Sequence, residues 1–309
     1  MTLATMVVGI DLGGTRLRAG AAAAGRGSAI ADTVVRLADA PAPSTLGELA
    51  AALRDVTQRA AGLGHLAAIA FTVPGLVVGT TCTWVPNLAY LDGVDMRSFV
   101  ADTVMALPTV VANDAHLALL GEACEGAAAG RRDALLLAIG TGIGSALLAD
   151  GCIQRGSRGA ACSFGWACAD IADDGDDQLG WLERRSAGPV LDAAGAAMTP
   201  PRDGAGVVRS AMAGDAVAGA AVDAAGTALG TALAGAVALV DPGLVIVSGG
   251  LADAVAALEP SLRRALDRQL PPHLRGVEVT AGRLGPAAGL VGALHAARRG
   301  ERWWEVGDR

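Results

Sequence analysis

One stretch near the N-terminus constrains the fold more than any other part of the chain. Residues 6–20 form the pattern of an apolar strand, a Gly-Gly turn and a second strand that returns. Glycine lets backbone N–H groups approach an anion and tolerates the positive φ of a tight turn. Asp11 ends the first strand and Thr15 adds a hydroxyl, so the turn could hold phosphate with a hydrated Mg2+. The alternative is an ordinary hairpin, since a Walker A ending is lacking.

A similar unit recurs later in the chain. The residues predict a strand over 134–139, a glycine-rich turn over 140–145 and a second strand over 146–149. Two strand–turn–strand units indicate a duplicated architecture, in which two related domains face one nucleotide. A third turn, residues 248–251, follows a predicted buried strand and leads into a predicted helix over 252–257. Its glycines allow it to lie flat against a purine or ribose.

Composition limits the class of protein. The 309 residues suggest two domains or one large domain, and the net charge of −7 argues against nucleic acid and an anionic membrane surface as partners. We expect no signal peptide and no membrane span. The five cysteines are odd in number and lack C-x-x-C pairs. They therefore indicate free thiols in a reducing cytoplasm.

Polar residues follow several predicted strands. Asp114 lies where a buried strand enters a helix, which would place its carboxylate in a cleft between domains. Capping of that helix is the other reading of Asn113 and Asp114. The Pro74-Gly75 turn is either a close approach to a ligand or a simple loop. Asn87 either binds a sugar hydroxyl or caps the next turn.

Hydrophobic periodicity predicts the remaining elements. They are strands over 28–37, 67–72, 109–112, 244–247 and 277–281, and helices over 45–61 (capped by Ser44), 94–106, 117–129, 216–240 and 284–298.

The order of these motifs resembles the ROK family of sugar kinases, which belongs to the actin-like ATPase superfamily. The resemblance spans nearly the whole chain and rests on 11–15, 74–75, 86–88, 113–115, 140–144, 156–161, 180–183, 241–242, 249–250 and 289–293. It implies an α/β fold of two actin-like (ribonuclease H-like) domains, with mixed sheets flanked by helices and an interdomain cleft. The first domain would be 1–112, to which a helix at about 294–309 returns, and the second 113–293.

The resemblance also implies roles for individual residues, with ATP and Mg2+ as cofactors. Asp114 matches the catalytic base, and Asp11 would hold Mg2+ through water. The acceptor would be bound by Pro74, Gly75, Asn87, Asn113, Asp114, Ser163, Trp166 and Glu183. ATP would be bound by Asp11, Gly13, Gly14, Thr15, Gly140, Thr141, Gly142, Gly144, Gly249 and Gly250.

The chain departs from the family after residue 161. Ser163 stands where the family has a sugar-binding Glu, and Trp166 where it has a His that binds both sugar and zinc. The family's zinc cysteines are replaced by residues 173–181, with Trp181 at the last cysteine. We therefore predict no structural zinc. We expect Trp166 and Trp181 to be buried in its place.

The expected function is transfer of the γ-phosphate of ATP to a primary hydroxyl of a hexose or amino sugar, giving the 6-phosphate. Glucose, kanosamine and N-acetylmannosamine are the acceptors considered, because Ser163 leaves room for a larger substituent and Glu183 could pair with an ammonium.

A seven-carbon cyclitol kinase and a non-catalytic sugar sensor are alternatives. A sugar-responsive repressor is disfavoured because the phosphate strand begins within ten residues of the start, and an acetate-kinase-like enzyme because Asn87 and Asn113 suit polyols. Family members often form homodimers, and nothing local decides this.

Overall fold

A computed structural model describes residues 4–25, 29–250 and 254–306. The chain divides into two compact units. The first comprises Met1–Arg132, Asp150–Ala161 and Pro286–Arg309, and the second comprises Asp133–Ala149 and Cys162–Gly285. The predicted boundary at 112/113 is therefore too early. The helix that follows residue 113 packs on the C-terminal helix within the first unit, so the chain leaves that unit only after residue 132.

The first unit contains eight of the strands described here and five of the helices. The strands are β1 (Thr5–Leu12), β2 (Arg16–Ala23), β3 (Val35–Pro41), β4 (His65–Val73), β5 (Leu76–Val78), β6 (Thr81–Trp84), β7 (Thr109–Asn113) and β10 (Cys152–Ile153). The helices are α1 (Ile30–Thr33), α2 (Leu46–Ala61), α3 (Met96–Thr103), α4 (Asp114–Glu125) and α10 (Ala288–Arg299), with 3-10 turns at Pro86–Leu91 and Gly300–Arg302.

The second unit contains four of the described strands and five of the helices. The strands are β8 (Ala134–Ile139), β9 (Ile143–Ala149), β11 (Leu244–Ser248) and β12 (Glu278–Ala281). The helices are α5 (Glu183–Ser186), α6 (Gly188–Ala196), α7 (Gly204–Met212), α8 (Ala216–Val240) and α9 (Val255–Gln269), with 3-10 turns at Phe164–Trp166 and Pro272–Leu274.

The two sheets share one plan. In the first unit the strand order is β3-β2-β1-β4-β7, with β1 antiparallel to β2 and parallel to β4, and β4 parallel to β7. Within the second unit the order is β9-β8-β11-β12, with β8 antiparallel to β9 and parallel to β11, and β11 parallel to β12. The glycine-rich turns join β1 to β2 and β8 to β9. This repeated topology agrees with the predicted duplication and with the expected mixed α/β fold.

Close backbone contacts fix the helices of the first unit. Helix α10 packs on both β1 and α4. A Cβ at Gly9 of β1 would lie 2.9 Å from the Leu294 side chain, and one at Gly292 would collide with the Leu117 carbonyl of α4. These glycines therefore let α10 lie directly against the strand and the helix that carry Asp11 and Asp114.

Helix α8 dominates the second core. By length and composition it is the one described helix that could cross a membrane, and half of its most apolar window is buried in the protein. A Cβ at Gly226 or Gly230 would collide with α9. The small residues thus serve tight packing of one helix on another.

Two local predictions are wrong. Residues 28–37 do not form one strand, because Ile30–Thr33 is a helical turn and β3 begins at Val35; residue 28 lies outside the described chain. Helix α2 is capped by Thr45, whose hydroxyl accepts the Glu48 N–H. Ser44, the predicted cap, instead donates its N–H to the Glu48 carboxylate, one residue before the N–H that a capping box uses.

Candidate functional site

Asp11 is the penultimate residue of β1 in the first unit and is held by neighbouring strands. The Thr72 hydroxyl of β4 donates to Asp11 Oδ1 at 2.6 Å, and Arg18 Nη1 of β2 lies 3.4 Å from Oδ2. A Cβ at Gly289, in the first turn of α10, would lie 2.9 Å from Oδ1. The carboxylate is 15% exposed. Its position is therefore set by three elements, and it still reaches solvent.

The turn after Asp11 presents backbone donors. The Gly13 N–H bonds the Arg16 carbonyl at 2.9 Å, which closes the turn. The N–H groups of Gly14 and Thr15 make no hydrogen bond within the described chain, and both residues are exposed. Two free donors beside a carboxylate suit a phosphate oxygen with its metal ion.

Asp114 is the first residue of α4 and is partly buried. Its Oδ1 accepts the Ala115 N–H at 2.8 Å. Burial raises the pKa of the Asp114 carboxyl to about 6, and the negative charge of Asp11 adds to that rise, while the Ala115 hydrogen bond opposes it. A carboxylate with such a pKa is ionised at neutral pH and is a stronger base than an ordinary Asp.

Asn113 is occupied by structural hydrogen bonds. Its Oδ1 accepts the N–H groups of Ala115 and His116, which caps α4, and its Nδ2 donates to the Gly75 carbonyl at 3.1 Å. Gly75 is buried, and a Cβ there would collide with the Trp84 backbone. The predicted residues Pro74, Gly75 and Asn113 thus come together, with Asn113 fixing the turn.

Asn87 differs from Asn113 in that its side chain makes no hydrogen bond to the described part of the chain. It lies exposed in the 3-10 turn Pro86–Leu91, and its amide has no hydrogen bond within the described chain. A Cβ at Gly14 would lie 3.0 Å from Asn87 Cβ, so this amide borders the first glycine turn. It is available for a hydroxyl group, which can be both donor and acceptor.

The second glycine turn, residues 140–144, is held by hydrogen bonds to residues 183 and 188, which lie later in the chain. The Gly140 carbonyl accepts the Gly188 N–H at 2.8 Å, and Ile143 donates its N–H to Glu183 Oε1 at 2.8 Å. The N–H groups of Thr141 and Gly142 make no hydrogen bond within the described chain. Gly144 continues into β9, opposite Ala138. This turn therefore also offers two backbone donors, but it contains no acidic residue.

The remaining predicted contacts lie in the second unit. Ser163 is exposed and precedes the turn Phe164–Trp166. The predicted burial of Trp166 with Trp181 is wrong for Trp166, which is 41% exposed, whereas Trp181 is 8% exposed and lies in the core. In the short turn, Phe164 and Gly165 take the inward positions and leave Trp166 outside.

The third turn follows β11. Gly249 has φ +82°, a conformation that favours glycine. A Cβ there would also lie 2.6 Å from the Ile139 carbonyl oxygen, so both the backbone conformation and the lack of space exclude a side chain. Gly250 is exposed. Residue 251, the last of the predicted adenosine turn, lies outside the described residues.

Asp11 fits a hydrated Mg2+. It offers a hard, oriented and partly exposed carboxylate, and Mg2+ is commonly held by one or two carboxylates together with substrate phosphates and water. Within residues 4–25, 29–250 and 254–306, no group of three or more His, Cys, Asp or Glu side chains could hold a metal ion. The absence of structural zinc stays a prediction.

Sequence reasoning missed Thr72 and Arg18, which orient Asp11. Thr72 lies in β4 and pairs across the sheet with Asp11, while Arg18 is its partner in β2. The second pairing follows from the hairpin register. The first requires the parallel alignment of two strands separated by some 60 residues, for which the sequence offers no local signal.

Comparisons with known proteins identify sugar kinases similar to this chain. A glucokinase from Streptomyces coelicolor is 28% identical over 95% of this chain and 98% of its own. The bifunctional enzyme NanE/NanK of Brucella melitensis is 32% identical over 62% of this chain and 36% of its own. A crystal structure of a ROK family glucokinase from Streptomyces griseus, in complex with glucose and AMPPNP, superposes with a TM-score of 0.77. It is 26% identical and covers 96% of this chain and 100% of that one.

The family itself is decided by one further match. The family model described as "ROK family" matches residues 7–299, which is nearly the whole chain. The chain belongs to the ROK family.

Proposed function

We propose that this protein transfers the γ-phosphate of ATP to the primary hydroxyl of a hexose or amino sugar, with Asp114 as the general base. That it is an ATP-dependent carbohydrate kinase follows from its family and from its glucokinase and NanE/NanK relatives. The acceptor and the role of each residue are the proposal. Glucose, N-acetylmannosamine and kanosamine are the acceptors to test first.

The observation that carries the proposal is the environment of Asp114. A primary hydroxyl is far too weak an acid to ionise at neutral pH, so its proton must be taken as its oxygen attacks the γ-phosphorus. Burial and Asp11 raise the pKa of Asp114 to about 6, which is near the value at which a base is both ionised and effective. Asp114 accepts the proton, the new O–P bond forms, and the bond to the β–γ bridging oxygen breaks to release ADP.

Other residues bind and orient. The free N–H groups of Gly14 and Thr15, and those of Thr141 and Gly142, are donors for phosphate oxygens. Asp11 would hold a hydrated Mg2+, which neutralises phosphate charge when bound. Asn87 offers its amide to the acceptor's hydroxyls. Asn113 supports this site indirectly, since it fixes the Pro74-Gly75 turn.

The test is formation of ADP by the purified protein with Mg2+–ATP and a panel of acceptors, with the product identified by 31P and 13C NMR. The panel contains glucose, mannose, N-acetylmannosamine, kanosamine, a seven-carbon cyclitol and acetate. We expect sugar-dependent ADP and a 6-phosphate. If only the cyclitol is phosphorylated, the acceptor is a cyclitol and not a hexose or amino sugar. If only acetate is phosphorylated, the proposal is overturned. Binding of sugars without ADP formation would indicate a sensor.

A further inference from the structure

Glu183 is partly buried, and its carboxylate is bound by two backbone N–H groups. Its Oε1 accepts the Ile143 N–H at 2.8 Å, and its Oε2 accepts the Gly180 N–H at 3.1 Å. Each carboxylate oxygen therefore already has a donor. A carboxylate that accepts two backbone N–H groups makes strong, directional bonds and is held in one orientation.

Glycines make room for this carboxylate. A Cβ at Gly142 would lie 2.5 Å from Glu183 Oε1, and a Cβ at Gly165 would lie 2.8 Å from Glu183 Cγ. A Cβ at Gly180 would collide with the Gly165 carbonyl. The glycine turn 140–144, the turn 163–166 and the residues before α5 thus converge on one side chain.

Neutral hydrogen bonds reinforce the same arrangement. Ser145, directly after the glycine turn, bonds the Cys162 carbonyl through its hydroxyl and accepts the Phe164 N–H at 3.0 Å. Cys162 has φ +65°, a backbone conformation that favours glycine. Among these ties only that of Glu183 carries a charge, so it is the strongest single constraint on the turn.

We propose that Glu183 is a positioning residue for the nucleotide-binding turn 140–144. By holding the Ile143 N–H it fixes the turn in the conformation that leaves the N–H groups of Thr141 and Gly142 free for phosphate oxygens. This inference rests on the proposed function in one respect, namely that the turn binds the phosphates of ATP.

Loss of this tie has a specific kinetic consequence. Glu183→Gln keeps the shape of the side chain, but its amide nitrogen cannot accept the second N–H, and Glu183→Ala removes both acceptors. We expect KM for Mg2+–ATP to rise about fivefold in the Gln variant and about 50-fold in the Ala variant. An unchanged KM for Mg2+–ATP, with a rise only in KM for the sugar, would overturn the proposal.

A binding measurement separates this inference from the proposed function. Isothermal titration calorimetry with Mg2+–AMPPNP and no sugar should give Kd values that rise in the order wild type, Gln, Ala. If the wild type turns over no sugar but this order holds, the proposed function fails and the positioning role stands. If all three proteins bind AMPPNP equally, the positioning role fails.

Two controls complete the design. Glu259→Gln changes the same side chain in the same unit, where it pairs with Arg263 at 3.1 Å, and should leave every constant unchanged. Amide exchange over residues 140–146 reports the hydrogen bond between Ile143 and Glu183 in the free protein. It should accelerate in Glu183→Gln and stay unchanged in Glu259→Gln. Unchanged exchange in Glu183→Gln would contradict the proposal even if the Ala variant does not fold.

Discussion

The two glycine hairpins share a backbone plan but receive their carboxylates differently. In the first, Asp11 belongs to the hairpin itself and is oriented by Thr72 and Arg18 while staying partly exposed. In the second, the acid is Glu183, which comes from another segment and has both oxygens bound to backbone N–H groups. In each turn, two N–H groups make no hydrogen bond to any part of the chain that the structure describes.

The two hairpins therefore use their carboxylates for different purposes, the first for the reaction and the second for fixing a loop. Asp11 and Asp114 are both partly exposed, and the charge of Asp11 helps to raise the pKa of Asp114. The charge of Glu183 is used to hold a loop. We therefore expect changes in the first unit to affect kcat and its pH dependence, whereas changes around the second hairpin affect nucleotide binding.

Asp114→Asn is the strongest test of that division. Without the base, kcat should fall by about 10²–10⁴-fold, while Kd for AMPPNP stays within threefold. Asp102→Asn, an exposed aspartate in α3 of the same unit, is the control and should keep full activity. Full activity in Asp114→Asn would show that the base lies elsewhere.

The stability of that variant gives a second, opposite effect. Because the folded-state pKa of Asp114 is raised from 3.8 to about 6, its ionisation destabilises the fold progressively between these two pH values, and the loss is complete above pH 6. Asp114→Asn should therefore have a higher Tm than wild type at pH 8, and the gain should shrink below pH 6 and vanish below about pH 3, where the carboxyl is protonated in both states. A lower Tm at pH 8 would contradict the burial of a charge.

The pH profile of the wild type should show the same group. Since Asp114 must be ionised to accept a proton and has a pKa of about 6, kcat/KM should fall roughly tenfold between pH 7 and pH 5. An ordinary aspartate would keep its activity to about pH 4. The measurement is kcat/KM for the sugar from pH 5 to 8 at saturating ATP, and a flat profile over this range would exclude Asp114 as the base.

Thr72→Val probes the orientation of Asp11. The change removes the hydroxyl that donates to Asp11 Oδ1 and keeps the β-branched shape, so kcat should fall about tenfold and the Mg2+ concentration at half-maximal rate should rise. Thr57→Val is the matched control, because that buried hydroxyl donates to the Leu53 carbonyl in its own helix. Equal loss in both variants would point to general destabilisation.

The smallest expected effects are those of substituting Asn113 and Asn87 in the first unit. Asn113→Ala removes the α4 cap and should lower the free energy of unfolding by about 1 kcal/mol, measured by urea denaturation. Asn87→Ala should leave stability unchanged and raise KM for the sugar severalfold, because its amide makes no internal bond. A large KM effect from Asn113→Ala, at unchanged stability, would restore it as a direct ligand.

Local sequence was enough to predict both hairpins, the long helix α8 and the strand that directly precedes Asp114. Each depends on short-range patterns, namely glycine turns between apolar strands and runs at helical spacing. The strand predicted over 28–37 failed because a single helical turn, residues 30–33, is too short to show a helical period. The unit boundary failed because packing of α4 on α10 brings together residues 170 or more positions apart in the chain.

The sequence by itself determined the family-like order of motifs and which residue types could handle phosphate, metal and sugar. The tertiary structure decided which of those side chains are free. Asn87 and Asn113 look equivalent in sequence, yet Asn87 is exposed, whereas the side chain of Asn113 caps α4 and donates to the Gly75 carbonyl. Hydrogen bonds such as Thr72 to Asp11 and Ile143 to Glu183 join distant segments, and only the folded chain brings those donors and acceptors within reach.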